Sequence, residues 1–349
     1  VLERDLQGSV QLLLVLNSFI SRTLTAGLVL CGLAALCSIC GCGEPLPVPR
    51  IDPFLYAWRQ PYAGIEGLRV HVFNTGSMTL PSALVYSGGS WTEEIVIDVP
   101  AFVIEHPEHG LIVFDTGFNG RVHDAPEPYL GVVLTAIGSF DMPEEATLDV
   151  QMRAAGLDPD AVTHVVLSHL HFDHAGAVEA FPRAAVVVAR REREAALESG
   201  VLGGLTFFGQ DWDAVGTWLE IDYDSGEPFA TFSAHHDLLG DGSIVLVDLR
   251  GHTAGSQGAI IRTVGAPVLL TGDAAAIEQS WKYAARPLVA DDVEAWWKQV
   301  WRIKKLVQLE PSTIVVPGHD LAALRRARHE AVSVHRMDRD GARPGTDGS

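Results

Sequence analysis

The sequence predicts an α+β fold in which two β-sheets pack face to face and helices cover the outside. Two apolar runs carry that expectation, because they hold corresponding places in two β-rich halves. Leu111-Ile-Val-Phe114 runs into Asp115-Thr116-Gly117, and Pro267-Val-Leu-Leu270 runs into Thr271-Gly272-Asp273. Each reads as a buried strand delivering a carboxylate at a glycine turn. The third observation is the segment 292–309, where Val293, Trp297 and Val300 recur at helical spacing and mark a face turned toward a sheet.

The remaining elements follow in order. Residues 68–73 and 101–105 read as strands. Residues 143–155 repeat Ala146, Leu148, Met152 and Ala155 at helical spacing, with Gly156 placed to end the helix. The β-branched run 163–167 leads into a histidine-rich segment. Residues 184–189 read as a strand and 190–200 as a helix, while 201–233 is irregular and rich in aromatics. Residues 242–248 form one more strand.

Composition narrows the function. The chain is 47% hydrophobic and 20% charged, as a folded protein should be, and its formal net charge is -19. Nucleic-acid binding needs clustered Lys and Arg to release counterions, so this balance argues against a nucleic-acid partner and for a small-molecule substrate. Cys31, Cys37, Cys40 and Cys42 all stand near the N-terminus. A disulfide framework would spread through the fold, so none is expected, and the core has no thiolate nucleophile or thiolate ligand.

Those cysteines lie in and beside an apolar run, 23–39, preceded by Arg22. The run reads as an export signal over residues 1–41, and Ile39-Cys40-Gly41-Cys42 resembles a bacterial lipobox. An uncleaved apolar anchor is the alternative, although a span takes about 20 residues and this run is shorter. Either way a membrane attachment at the bacterial cell envelope is expected. Residues 42–65 read as a proline-rich tether, 66–336 as the folded domain and 337–349 as a disordered tail.

The chemistry concentrates in His169-Leu-His171-Phe-Asp173-His174, four candidate metal ligands directly after a strand. Alternate residues on an extended segment point the same way, so His169 and His171 can grip one metal. Asp173 and His174, at the start of the next turn, can face a second. Imidazole suits borderline metals such as zinc, and carboxylate adds a harder ligand.

With these residues the sequence resembles the metallo-β-lactamase superfamily, whose signature is H-x-H-x-D-H, over about residues 66–325. Its later positions are matched by Gly251-His252-Thr253-Ala254-Gly255-Ser256, Thr271-Gly272-Asp273 and Pro317-Gly318-His319-Asp320. The resemblance implies a four-layer αββα sandwich with the metals at one edge, between the sheets. It implies that His169, His171 and His252 bind one metal, that Asp173, His174 and His319 bind the other, and that Asp273 bridges them. Asp115 would support the ligands from behind, and Asp320 is expected to help. The cofactors would be two divalent ions, zinc first and iron, manganese or cobalt as alternatives. Such a pair lowers the pKa of a shared water and polarises a carbonyl, so a bridging hydroxide would attack an ester.

Among the branches of this superfamily, the local motifs resemble N-acyl homoserine lactone lactonases, the quorum-quenching group. Asp173 would then be the catalytic proton carrier. Those enzymes often carry a tyrosine three residues after the bridging Asp, where this chain has Ala276; Trp281 and Tyr283 are the aromatics that could replace it. A glyoxalase II-like thioesterase and a non-catalytic, lipid-anchored binding protein are the alternative readings. A homodimer is left open.

Overall fold

The computed structural model describes residues 46–200, 205–327, 332–336 and 345–346. The expected export signal, Cys42 and most of the expected tail lie outside the described residues. Among the described residues no helix is long and apolar enough to cross a membrane.

Two sheets form the centre. The first contains β1 (Arg69–Pro81), β2 (Glu94–His106), β3 (Gly110–Phe114), β4 (Ser139–Asp141), β5 (Val162–Val166), β6 (Ala185–Ala189) and β7 (Trp218–Ile221). The second contains β8 (His235–Asp237), β9 (Ile244–Asp248), β10 (Gln257–Ile261), β11 (Val268–Leu270) and β12 (Ile314–Val316). The late strands β13 (Val332–Arg336) and β14 (Gly345–Thr346) return to the first sheet, whose order is β14-β13-β1-β2-β3-β5-β6-β7, with β4 paired to β1. The second sheet has the order β12-β11-β10-β9-β8.

The apolar runs are continuous because these strands are covered on both faces. In β3, Ile112 and Phe114 join the core between the sheets, while Leu111 and Val113 join the outer core of the first sheet. In β9, Ile244 and Leu246 point inward between the sheets, and Val245 and Val247 point to the outer core of the second. The helices that bear on the site are α1 (Leu148–Ala154), α2 (Phe172–Ala175), α3 (Arg190–Glu198), α4 (Val293–Leu309) and α5 (Leu321–Ala327). Leu148 and Met152 of α1 and Ala196 of α3 cover the first sheet. Ile303 and Leu306 of α4 cover the second. The result is the expected αββα order of layers. Each fully buried aliphatic side chain contributes roughly 1.5–3 kcal/mol, so the site rests on a stiff platform.

Four details differ from the sequence reading. The buried face of α4 is Trp296, Gln299, Val300, Ile303 and Leu306, so Trp296 rather than Trp297 points inward. Trp297 instead donates its indole N–H to the Pro47 carbonyl at 2.9 Å. A strand, β7, lies inside the region expected to be irregular; Leu219 and Glu220 are exposed at the sheet edge, which hides the apolar signal. The tether is shorter than expected. Tyr56 bridges to Ala230, the Trp58 ring lies 5.7 Å from Phe229, and the Tyr62 hydroxyl donates to the Thr263 carbonyl. These aromatics bind the segment to the domain by burying apolar area. Within the tail, Gly345–Thr346 pairs antiparallel with β13.

Candidate metal centre

Strand register places the site. β3 and β5 run parallel and pair Phe114 with Val166. Just past that pair, at the C-terminal ends of the two strands, Asp115 accepts hydrogen bonds from the Ser168 backbone N–H at 2.6 Å and the Ser168 hydroxyl at 2.8 Å. Asp115 holds a positive φ of 55° to do so. β11 and β12 also run parallel, pairing Leu270 with Val316. Three residues beyond that pair on each strand stand Asp273 and His319. The connection between β9 and β10, closed by the Asp248–Gln257 pair, carries His252. The seven predicted ligands, drawn from both sheets, therefore meet at one edge.

They form two overlapping groups. Nitrogens of His169, His171 and His252 lie within 4.8 Å of one another, and so do the ligand atoms of Asp173, His174 and His319. Asp273 joins the groups: its Oδ2 lies 3.4 Å from His252 Nε2 and its Oδ1 lies 3.1 Å from His319 Nε2 and 3.4 Å from His174 Nε2. Close packing enforces this, since a Cβ on Gly318 would stand 2.6 Å from Asp273 Oδ1.

The tautomers show which nitrogens are bare. His319 Nδ1 donates to the Asp98 carbonyl at 2.7 Å, so it carries the proton and Nε2 of the neutral ring does not. His174 Nδ1 donates to Asp115 at 2.9 Å, with the same consequence. The two Nε2 atoms then face each other at 3.3 Å. The Ser168 hydroxyl, which donates to Asp115, accepts from His169 Nδ1 at 3.0 Å. That leaves His169 Nε2 buried without a hydrogen-bond partner among the described residues. His252 Nε2 and His171 Nδ1 approach to 3.3 Å. The facing lone pairs of His174 and His319 repel in a buried site unless a cation stands between them. The donor set, five imidazoles and two carboxylates, fits divalent metals of the zinc type.

Charge differs between the groups. Burial, reinforced by the neighbouring rings, holds His169 and His171 well below the usual histidine range. Burial lowers His252 as well. Burial also opposes charge on His174 and His319, but the carboxylates outweigh it and raise both: Asp173, Asp273 and Asp115 for the former, chiefly Asp273 for the latter. Asp273 lies well below the carboxylate range because His319, His174 and His252 outweigh its burial.

Residues 96–319 match the metallo-beta-lactamase superfamily. The chain belongs to that superfamily. Within it, the chain is similar to the N-acyl homoserine lactonase AttM of Azorhizobium caulinodans, at 32% identity over 258 residues, covering 72% of this chain and 93% of the relative. Its fold is that of a solved N-acyl homoserine lactone hydrolase with the product N-hexanoyl-L-homoserine at its catalytic metal centre. That likeness has a TM-score of 0.64 and 24% identity, over 75% of this chain and 97% of the other. AidC, a dizinc quorum-quenching lactonase, superposes with a TM-score of 0.50 and 14% identity, over 82% of this chain and 98% of the other.

Two expectations change inside this superfamily frame. Asp115 accepts hydrogen bonds from His174 and Ser168, but Asp320 touches none of the candidate ligands. Its carboxylate accepts from Ala323 N–H at 2.9 Å and Glu278 N–H at 3.2 Å, so it caps α5 instead. The support expected of it comes from the Asp98 backbone carbonyl, which no sequence pattern marks. Neither aromatic near Ala276 is drawn into the site: Trp281 packs on the outer core of the second sheet and Tyr283 is 79% exposed. Ser168 was also missed, although it stands directly before the histidine motif.

Proposed function

We propose that the chain is a binuclear metallo-hydrolase that opens N-acyl homoserine lactones or related carboxylic esters. His169, His171 and His252 would hold one ion, Asp173, His174 and His319 the other, and Asp273 both. The observation that carries the reading is Asp273, which offers one oxygen to each group of ligands. When bound, two divalent ions supply hydroxide at neutral pH and draw charge from a carbonyl oxygen. Zinc is the ion we assign, in keeping with the imidazole-rich donors.

The protein's own part is orientation and proton movement. Asp115 fixes the His174 ring directly and the His169 ring through Ser168. Asp173, with Oδ2 at 3.5 Å from His319 Nε2, stands where it can carry a proton to a departing alkoxide. Beside the site runs an open cleft of about 500 Å³ lined by Leu130, Val132, Val133, Leu205, Phe207 and Phe208. The Phe207 ring lies 5.0 Å from His171, so the cleft leads away from the ligands. Its lining suits an apolar acyl tail.

The deciding measurement is kcat/KM on acyl homoserine lactones of rising chain length against S-acyl glutathione thioesters and aryl esters. The lactones with longer tails should lead. A preference for thioesters would move the protein to the glyoxalase II-like reading. Envelope anchoring belongs to the same proposal and is supported by Arg22, the apolar run and the lipobox-like Cys42. Cys42→Ser should leave an unprocessed or soluble form, whereas recovery of the intact apolar segment in membrane-bound wild type would favour an uncleaved anchor.

A further inference from the structure

One buried carboxylate lies behind the metal centre and touches none of its ligands. Glu192 stands in the first turn of α3 and is fully buried. Its partners are three neutral donors. Oε1 accepts the Leu170 backbone N–H at 2.9 Å, and Leu170 is the residue between His169 and His171. Oε2 accepts the Thr253 hydroxyl at 2.7 Å and the Gly255 backbone N–H at 3.0 Å, both in the turn that begins with His252. One side chain therefore joins the two segments that supply the three-histidine group.

The turn is built to receive it. A Cβ on Gly255 would stand 2.3 Å from the Glu192 nitrogen, so only glycine lets the α3 N-terminus come this close. The hydroxyl network has a single direction. Thr253 N–H donates to Ser256 Oγ at 3.0 Å, Ser256 Oγ stands 2.6 Å from Thr253 Oγ1, and Thr253 Oγ1 donates to Glu192. Ser256 must therefore be the donor to Thr253. Each group in the chain is satisfied only if Glu192 accepts at its end.

We propose that Glu192 is the positioning residue of the three-histidine group, holding the His169–His171 segment against the His252 turn so that the three imidazoles converge before a metal arrives. The inference rests on the metal-binding reading above but is independent of the substrate. Glu192 spans two segments that otherwise belong to different sheets, while Asp115 bonds His174 of the other group directly and reaches His169 only through Ser168. Removing the acceptor should loosen one group selectively. Supporting partners of this kind are worth about 10–100-fold in metal affinity.

The test uses the full chain, stripped of metal and titrated with cobalt(II) against a chromophoric chelator, with the cobalt absorption spectrum recorded at each equivalent. In Glu192→Gln, one of the two equivalents should weaken by about tenfold or more and its spectrum should change, while the other keeps its wild-type affinity. Thr253→Val should shift the same equivalent by less, and Thr253→Ser, which keeps the hydroxyl, should restore it. This pair carries the test if Glu192→Gln does not fold. Equal weakening of both equivalents, or none, in Glu192→Gln or Thr253→Val would overturn the proposal. A wild-type chain that binds no cobalt would overturn the metal-binding reading itself, and loss of lactonase activity alone touches neither result.

Discussion

The two groups of ligands reach the same end by different means. His169, His171 and His252 lie on two segments, and burial keeps their rings neutral and ready to donate lone pairs. His174 and His319 are instead raised above the usual histidine range, because their carboxylate neighbours outweigh burial. The first group needs convergence, because neutral rings do not draw one another together. The second needs aim, because its rings must keep their bare Nε2 atoms turned to one point. A neutral clamp of three donors on Glu192 suits the first, and Asp115 with the Asp98 carbonyl suits the second.

Asp273→Ala is the substitution that should erase the contrast, since it serves both groups. Turnover should fall to background and metal content to about one ion or fewer per chain, because each site keeps only three ligands where about four are the rule. Elemental analysis checks this, and two tightly held ions in the variant would show that the groups do not share Asp273. Asp115→Asn should divide the groups. It removes the acceptor of His174 and, through Ser168, disturbs His169, so the carboxylate-rich group should lose about 10–100-fold in affinity and the other less. Calorimetric titration with zinc would separate the two steps. Asp320→Ala should leave both groups intact. It removes a helix cap, costing about 1 kcal/mol in a denaturant titration, with metal content unchanged. A drop in metal content there would restore the role first expected of Asp320.

The candidate ligands were legible because they follow apolar strands, at a glycine turn for His252, Asp273 and His319, and strand register brings them together. Asp115 was legible for the same reason. Asp320 misled because adjacency in sequence to His319 says nothing of side-chain direction at a helix start. Glu192 was hidden in Arg190-Arg-Glu-Arg-Glu194, a run that reads as a solvated helix face, yet one of its carboxylates is wholly buried. The backbone carbonyl of Asp98 leaves no pattern to read. Trp296 and Trp297 are neighbours of the same type, so periodicity cannot choose between them, and the choice is made by packing.

The hydrogen bond from His319 to the Asp98 carbonyl spans 221 positions along the chain. That span orders assembly in time. A chain leaving the ribosome cannot bring the three-histidine group together before residue 252 has emerged, nor the second group before residue 319 has emerged and β12 can dock beside β11. Closing so long a loop is among the slower events of folding. Asp273 is made before His319, its last partner, so the two can meet only after nearly all of the described chain has been made.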